Sequence, residues 1–288
     1  IGNFDGVHLG HKKILSAVRE TAERKGLSSC VITFHPHPQK VLRNIDIPLL
    51  MPIRERLKLL ESEGMDFVAC YTFTEDISKI PAKDFISDIL VGRLKVKHLI
   101  IGPDFSFGRK REGNAELLET MGNVYDFETS VIGPVYIGGE VVSSTAIRNL
   151  LKAGDAKKAA SFLGYNYYIE GEVTEGEKRG RQIGYPTANL ATDWEMLPKA
   201  GVYATRACLG DTKLDSITNI GYRPTFGSSK LLIETHIFDF NSDIYGKRLR
   251  IEFVERIRDE KRFESVDALV TEIRADVEKV RKILENSE

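Results

Sequence analysis

The feature that most constrains the fold of this sequence is a change in its apolar pattern near Tyr165. Before that residue, short β-branched or aromatic runs alternate with segments whose apolar residues recur at helical spacing. After it, short runs of alternating apolar and polar residues follow one another with little helix between them. A chain of 288 residues is also long enough to enclose two cores. We therefore predict two domains, 1–164 and 165–288.

The first half has the order of elements that is typical of an α/β domain. The strand-like runs are Cys30–Phe34, Asp66–Phe73 and Val96–Ile101, and helical patterns cover Pro52–Glu63 and Ala82–Leu90. A further helix is predicted after the first ten residues, and a short one lies between the capping residues Asp155 and Gly164. Strands that alternate with helices predict a doubly wound parallel sheet, with its ligand site at the carboxyl ends of the strands.

The second half has the pattern of a small antiparallel β-barrel. Its strand-like runs are Tyr168–Thr174, Val202–Leu209, Ser216–Ile220, Leu231–Phe238 and Arg248–Ile257. Several such strands with little helix between them favour a barrel over an open α/β sheet. From Ser265 onward the apolar residues lie on one helical stripe, which predicts a terminal helix that packs on the barrel.

Composition argues against several classes of partner. Lys and Arg together number 41 against 42 Asp and Glu. The chain therefore has no overall positive charge that would attract a nucleic acid or an anionic membrane surface. The three cysteines have no C-x-x-C spacing, which argues against zinc and predicts reduced, mostly buried thiols in the cytoplasm. No apolar run approaches the ~20 residues of a membrane span, and no signal-type segment opens the sequence. Ile1 directly precedes a Gly-Asn motif, so we expect part of a first strand to lie before it.

Two histidines mark a candidate phosphate site at the predicted start of the first helix. His8 and His11 flank Gly10 in an H-x-G-H pattern. A helix N-terminus favours an anion, and Gly10 leaves room for a phosphate. An imidazole can also donate a hydrogen bond to a phosphate oxygen, which suits the transfer of an α-phosphoryl group. A metal pair or a polar surface is the alternative for two histidines at this spacing.

A second candidate phosphate site lies where another helix is expected to begin. Ser143, Ser144 and Thr145 supply three hydroxyl groups, and Arg148 follows one turn later. Hydroxyl groups followed by an arginine could hold a phosphate, although an ordinary helix N-cap is the alternative.

Together these two motifs resemble the nucleotidyltransferase superfamily, whose members adenylylate small phosphorylated or carboxylated substrates. Three segments narrow the resemblance to the FMN adenylyltransferase module of bacterial FAD synthetases: Gly2-Asn3-Phe4-Asp5-Gly6, Phe34-His35-Pro36-His37-Pro38 and Asp104-Phe105-Ser106-Phe107-Gly108. The resemblance implies catalytic roles for His8, His11 and Arg148. It implies nucleotide or phosphate contacts for Gly2, Asn3, Phe4, Asp5, Gly10, Ser143, Ser144 and Thr145, and flavin contacts for Asp104 and Phe107.

In the second half, the segment Gly180–Asn189 combines features of a phosphate site and of a cation site. Its two glycines lie four residues apart with an arginine between them, so a phosphate could lie against backbone N–H groups. Thr187 and Asn189 are two residues apart, so on an extended segment their oxygen atoms point to one side. Both could reach a hard cation such as Mg²⁺. A Gly/Pro turn that leads into a strand is the alternative.

Glu234 is a candidate general base. It shares one face of a predicted strand with His236, opposite Ile233, Thr235 and Ile237. A carboxylate in that position could accept the proton of an attacking hydroxyl during phosphoryl transfer. An exposed strand glutamate is the alternative.

The segment Gly180–Asn189 resembles the signature of riboflavin kinases, and later segments match that family in order and spacing. These are Asn219-Ile220-Gly221 with Arg223-Pro224-Thr225-Phe226, then Glu234-Thr235-His236, then Asp243-Ile244-Tyr245-Gly246. The resemblance implies that Glu234 is the catalytic base and that Thr187 and Asn189 are Mg²⁺ ligands. It also implies nucleotide or phosphate contacts for Gly180, Arg181, Gly184, Tyr185 and Pro186, and flavin contacts for Arg256, Arg258 and Phe263.

The two resemblances together imply a bifunctional prokaryotic riboflavin kinase and FAD synthetase. Such an enzyme phosphorylates riboflavin with ATP to give FMN and ADP, and then adenylylates FMN with a second ATP to give FAD and pyrophosphate. Mg²⁺ is the implied cofactor. The alternatives are a riboflavin kinase with a degenerate first half, a flavin- or nucleotide-binding sensor, and an adenylyltransferase for another substrate such as phosphopantetheine.

Overall fold

The computed structural model describes residues 1–43, 45–177, 179–225 and 228–287. The chain forms two compact units, Ile1–Ser144 and Thr145–Glu288.

The first unit is built on pairs of parallel strands connected by helices. Its strands are β1 (Cys30–His35), β2 (Phe67–Thr72), β3 (His98–Ile101), β4 (Glu128–Val131), β5 (Tyr136–Ile137) and β6 (Glu140–Val141). Its helices are α1 (Leu9–Lys25), α2 (Pro38–Arg43), α3 (Ile53–Ser62), α4 (Glu75–Ser78), α5 (Ala82–Asp84) and α6 (Ala115–Tyr125), with a 3₁₀ turn at Arg109–Arg111. β1 pairs in parallel with β2 and β3 with β4, whereas β5 and β6 are antiparallel. The predicted α/β class with parallel strands is confirmed.

One predicted helix of this unit has a different geometry. After the short helix α5, the segment Phe85–Arg93 is a π-helix, with wider turns than the α-helix that the pattern at 82–90 predicts. Ile86 and Leu90 are buried, and Phe85 and Val91 pack against the same core cluster. These apolar residues occur as two adjacent pairs five positions apart, so the wider turn keeps all four on one face.

The segment that precedes α1 is anchored by its own apolar side chains. Phe4 and Val7 are buried in a core cluster with Leu15 of α1, Val31 of β1 and Leu60 of α3. The backbone between Gly2 and His8 is therefore held at the start of α1 by the core of the unit.

Two helices open the second unit. They are α7 (Ser144–Ala153) and α8 (Ala156–Leu163), and α7 begins at the last residue of the first unit. The Asp155 side chain accepts a hydrogen bond from the Lys158 N–H at 3.0 Å, and Gly164 ends α8 in the left-handed conformation. Both predicted caps of this short helix are confirmed.

The rest of the second unit is a closed barrel of six antiparallel strands, as predicted. The strands are β7 (Tyr168–Thr174), β8 (Ala188–Ala191), β9 (Gly201–Leu209), β10 (Thr212–Thr225), β11 (Ser228–Ile237) and β12 (Arg248–Arg258). Their order around the barrel is β10-β11-β8-β7-β12-β9. A short helix, α9 (Arg179–Gln182), lies between β7 and β8, and α10 (Val266–Glu285) follows the barrel.

The two faces of the barrel wall have different chemistry. On the outer face, Val202, Ala204 and Ile217 pack against Val280 and Leu284 of α10, which confirms that the terminal helix covers the barrel. The Ser265 side chain caps α10 by accepting a hydrogen bond from the Ala268 N–H.

None of the described helices is both long and apolar enough to cross a membrane.

On the inner face of the same strands, four hydroxyl groups form a hydrogen-bonded chain. Thr205 contacts Ser216 and Thr218, each at 2.8 Å, and Thr218 contacts Thr235 at 2.9 Å. All four side chains are completely buried. Because a buried hydroxyl without a partner is costly, this chain favours one alignment of strands β9, β10 and β11.

Candidate active sites

Three polar residues of the barrel lie in one row across adjacent strands. Glu234 of β11 is directly opposite Asn189 of β8 and Asn219 of β10. Residues directly opposite each other in antiparallel strands point to the same face of the sheet. All three line a cavity of about 450 Å³, and so does Thr187. The structure therefore brings together the predicted base and both predicted metal ligands.

The segment between α9 and β8 is held by its backbone and by His236. The Tyr185 N–H donates a hydrogen bond to the Gly180 carbonyl at 2.8 Å. The Pro186 carbonyl accepts one from Nδ1 of His236, also at 2.8 Å, and the Tyr185 ring lies edge-on to the His236 ring. These contacts fix the backbone just before Thr187. Arg181 and Gly184 are exposed on the same segment.

The side chain of Asn189 occupies space that is open because residue 176 is a glycine and has no side chain. A Cβ atom on Gly176 would lie 2.1 Å from Nδ2 of Asn189, far inside van der Waals contact. Position 176 therefore tolerates only glycine while Asn189 keeps its present orientation.

The rest of the cavity combines apolar side chains with charged ones, which are Glu177, Arg258, Glu260, Lys261 and Asp276. Leu269 and Ile273 of α10 line it opposite the barrel residues Val202 and Ile217, and Phe263 contributes from the segment between β12 and α10. Such a cavity, with apolar walls and a row of polar groups, suits a ligand that has an apolar ring system and a polar chain.

The two predicted flavin-binding arginines lie in different surroundings. Arg258 lines the cavity, where its guanidinium contacts the Asp276 carboxylate at 2.7 Å and lies 5.9 Å from the centre of the Phe263 ring. Arg256 instead donates hydrogen bonds to the Ala200 carbonyl and to the Asp259 carboxylate, both at 2.6 Å. Arg256 thus braces the ends of two barrel strands.

In the first unit, the two histidine rings of the H-x-G-H motif are stacked at the start of α1. Their centroids are 3.6 Å apart, and the Phe4 ring lies 5.1 Å from His11. His8 is the N-cap residue, and its Nδ1 accepts a hydrogen bond from the His11 N–H at 3.4 Å. A Cβ atom on Gly10 would lie 3.1 Å from the His8 ring, so the space beside this glycine is filled by His8.

The electrostatic surroundings of His11 favour its neutral form. Burial, the neighbouring His8 and the Arg56 cation together hold the pKa of His11 well below its usual value of 6.5. Its Nδ1 is buried and has no hydrogen-bond partner among the described residues. A neutral imidazole still carries one N–H group that can donate to an anion.

The predicted phosphate loop, Gly2–His8, is held in the surrounding structure by hydrogen bonds to its backbone and to the Asp5 side chain. The two carboxylate oxygens of Asp5 accept hydrogen bonds from the Leu50 N–H, at 3.0 and 3.2 Å. The backbone carbonyl of Asp5 accepts one from Oγ of Ser144 at 2.7 Å. The Asn3 carbonyl accepts one from Oγ1 of Thr33 at 3.1 Å. Asp5 is almost completely buried, so its side chain contributes here to the shape of the loop.

The remaining residues of the predicted adenylyltransferase site lie in separate parts of the chain. Ser143 and Ser144 end this unit, whereas Thr145 and Arg148 belong to the part of α7 in the second unit. Phe107 packs in an aromatic cluster with Phe85 and Phe105, at 5.4 and 5.5 Å between ring centroids. Asp104 is exposed in the turn after β3.

Comparison with known proteins identifies the family. Residues 1–146 match a family model described as FAD synthetase, and residues 163–284 match one described as riboflavin kinase. A protein of Escherichia coli strain K12 named bifunctional riboflavin kinase/FMN adenylyltransferase is 38% identical over 278 residues, which cover 96% of this chain and 89% of that protein. The chain belongs to the bifunctional riboflavin kinase/FMN adenylyltransferase family.

Two further proteins are similar to nearly the whole length of this chain. A Bacillus subtilis strain 168 protein with the same name is 35% identical, with 99% of this chain and 92% of that protein covered. A crystal structure of a Streptococcus pneumoniae protein described as a macrolide-efflux protein has a TM-score of 0.91 and 32% identity, and covers 98% of this chain and 92% of that one. The whole two-unit chain, rather than one unit alone, is therefore shared with these proteins.

Two residues of this bifunctional enzyme were missed by sequence reasoning. Asn219 belongs to the motif Asn219-Ile220-Gly221, but its position opposite Glu234 depends on the register between β10 and β11. Arg56 is a single arginine in a helical pattern, and no sequence signal indicates that it is completely buried. Phe226, which is part of the quoted riboflavin kinase resemblance, lies outside the described residues.

Proposed function

We propose that this chain catalyses two consecutive reactions, with riboflavin phosphorylation in residues 165–288 and FMN adenylylation in residues 1–164. The observation that carries the proposal is the row of Asn189, Glu234 and Asn219 along one cavity, within the part that matches the riboflavin kinase model. The match of residues 1–146 to the FAD synthetase model favours two activities over a kinase alone.

In the kinase reaction, Glu234 acts as the general base. Its carboxylate accepts the proton of the ribityl 5′-hydroxyl of riboflavin while that oxygen attacks the γ-phosphorus of ATP. The new bond is between oxygen and phosphorus, the bond from the γ-phosphorus to the bridging oxygen breaks, and ADP leaves. The apolar walls formed by Val202, Ile217 and Ile273 hold the flavin ring, and Arg258 and Phe263 close the same cavity. Asn219 orients the Glu234 carboxylate from the neighbouring strand.

The kinase site has oxygen donors that suit Mg²⁺. Thr187 and Asn189 line the same cavity, and their hydroxyl and amide oxygens are the hard ligands that this cation takes alongside water and phosphate. We assign the metal to these two residues. A cation held by these two residues would neutralise charge on the ATP phosphates, and the Gly180–Pro186 segment positions those phosphates through its backbone.

In the adenylyltransferase reaction, a phosphate oxygen of FMN attacks the α-phosphorus of ATP. The bond between that phosphorus and the bridging oxygen breaks, and pyrophosphate leaves with the electron pair. His8 and His11 donate hydrogen bonds to phosphate oxygens at the N-terminus of α1. Since Nδ1 of His8 accepts a hydrogen bond, its proton is on Nε2 in the neutral ring, which makes Nε2 the donor. Ser143 and Ser144 bind further phosphate oxygens, and Phe107 and Asp104 contact the flavin. The phosphate roles of Thr145 and Arg148 stay predictions from the sequence.

The cellular setting is proposed to be the cytoplasm. All three cysteines are free thiols. Cys30 and Cys70 are exposed, so the prediction that the thiols are mostly buried is wrong. Exposed free thiols are typical of a reducing compartment.

A time course tests the two activities together. The protein is mixed with riboflavin and Mg-ATP, and riboflavin, FMN and FAD are separated by chromatography. We expect FMN to appear first and FAD to follow. Accumulation of FMN alone, even when FMN and fresh ATP are supplied, would contradict the adenylyltransferase assignment. Saturable flavin binding without any ATP turnover would contradict both.

A further inference from the structure

Arg56 is a completely buried cation beside the predicted phosphate loop. It lies in α3, and its relative exposure is 0%. Burial of a guanidinium group is costly unless its donors are satisfied and its charge is balanced. A helix of an ordinary core would carry an apolar residue at such a position, so the charge calls for a specific explanation.

The guanidinium joins two segments of backbone. Nη1 donates a hydrogen bond to the Asn3 carbonyl at 2.6 Å, and Nη2 donates one to the Phe34 carbonyl at 3.0 Å. Asn3 belongs to the loop before α1, and Phe34 is near the carboxyl end of β1. Burial lowers the pKa of Arg56, and the nearby Asp5 carboxylate acts in the opposite direction. Asp5 therefore offsets part of the cost of burying this charge, while Nε of Arg56 has no hydrogen-bond partner among the described residues.

We propose that Arg56 is a positioning residue for adenylyl transfer, which clamps the Gly2–His8 loop to the end of β1 and thereby fixes the His8 and His11 rings. The proposal rests on the adenylyltransferase function proposed above for this unit.

The loop needs such a clamp because its backbone is strained. Phe4 has φ 50° and Val7 has φ 34°, although both are non-glycine residues and Val7 is β-branched. Strained conformations persist only where the surroundings enforce them, and they are concentrated at functional sites. Phe4 follows the clamped Asn3 directly and contacts the His11 ring, so a shift of Asn3 would be passed to the histidine pair.

Arg56 also affects the charge of His11. The charged and titratable groups that act on the pKa of that ring are His8, which precedes α1, and Arg56 of α3. Burial makes the largest contribution to the lowered pKa of His11, and both His8 and Arg56 lower it further. A variant without the Arg56 charge should therefore have a His11 pKa closer to its usual value.

Two substitutions separate the clamp from the charge. Arg56→Lys keeps a cation but cannot donate to both carbonyls in the same geometry, whereas Arg56→Gln removes the cation as well. FAD formation from supplied FMN and ATP is measured for kcat and for KM, riboflavin phosphorylation is measured on the same samples, and the His11 pKa is measured by NMR. Glu61→Gln is the matched control, since it removes an exposed charge from the same helix.

We expect both Arg56 variants to lose between about 10-fold and 100-fold in the kcat of FAD formation, with smaller changes in KM, because misplaced catalytic groups act on the chemical step. Riboflavin phosphorylation should be unchanged. The His11 pKa should rise in Arg56→Gln and stay low in Arg56→Lys and in the control.

Folded variants with the wild-type kcat would overturn the proposal. If only Arg56→Gln fails to fold, Arg56→Lys decides by the same kcat measurement. Loss of folding in both variants would also overturn it, by making Arg56 a residue required for stability. A wild-type protein that forms no FAD would instead refute the proposed function itself.

Discussion

Replacement of Gly176 by alanine tests the role of Asn189 without removal of a single polar group. The added Cβ would lie 2.1 Å from Nδ2 and 2.7 Å from Cγ of Asn189, so the amide must retreat by more than about 1 Å to reach ordinary contact distance. The clash is with the end of a flexible side chain, and an off-rotamer Asn189 costs about 1 kcal/mol of stability. The fold should therefore survive while the amide oxygen leaves its position in the cavity.

The effect on the kinase reaction should be much larger than the effect on stability. A displacement of about 1 Å at a catalytic group can cost about 100-fold in rate. We expect Gly176→Ala to need more Mg²⁺ for half-maximal FMN formation and to have a lower kcat, while FAD formation from supplied FMN is unchanged. Gly133→Ala is the control, because a Cβ there meets nothing within 4 Å. A wild-type Mg²⁺ dependence in Gly176→Ala would refute the assignment of Asn189.

Three further predictions concern side chains of the two sites. Glu234→Gln should abolish FMN formation and spare FAD formation from supplied FMN, and His11→Ala should do the reverse; equal loss of both activities in either variant would contradict separate sites. The pKa of His11 is lower in the folded chain than its usual value of 6.5. As the pH falls, the unfolded chain is therefore protonated at this histidine before the folded chain is, and protonation stabilises the unfolded state. The free energy of unfolding should thus decrease as the pH drops below about 6.5. Thermal melts between about pH 7.5 and about pH 5.5 check this, and the fall should be smaller in His11→Ala. Finally, His236→Asn, which keeps a donor near Nδ1 for the Pro186 carbonyl, should retain more kinase activity than His236→Leu; equal rates would show that this hydrogen bond has no role.

Periodic segments of the fold could be predicted from sequence, and segments without a period could not. The alternating pattern of β7 predicts its bounds at 168–174, because Ile169, Gly171 and Val173 are buried on one face whereas Glu172 and Thr174 are exposed on the other. β4 and β8 have four residues each, which is too short for an alternation to stand out. The π-helical segment also escaped prediction, since its apolar residues satisfy a helical pattern at first inspection.

The candidate sites divide in the same way. The shared face of Thr187 and Asn189, and that of Glu234 and His236, could be predicted because residues two apart on an extended segment point to one side. The neighbours that support them depend on contacts between distant segments. Gly176 is 13 positions from Asn189, and Arg56 contacts carbonyls of residues 3 and 34, so only the folded chain reveals either relationship.

The barrel shows why a buried hydrogen-bonded chain matters for a site on the opposite face. Thr218 and Thr235 are paired inside the barrel, and Asn219 and Glu234, one residue away on the same two strands, are paired outside it. Because side chains alternate along a strand, a slip of one residue would turn the hydroxyl groups outward and the carboxylate inward. Such a slip would cost both the buried hydroxyl bonds and the burial of Glu234 in a closed interior. The interior threonines therefore select the register that presents Glu234 and Asn219 to the cavity, and the specificity of the fold and the geometry of the proposed kinase site have the same origin.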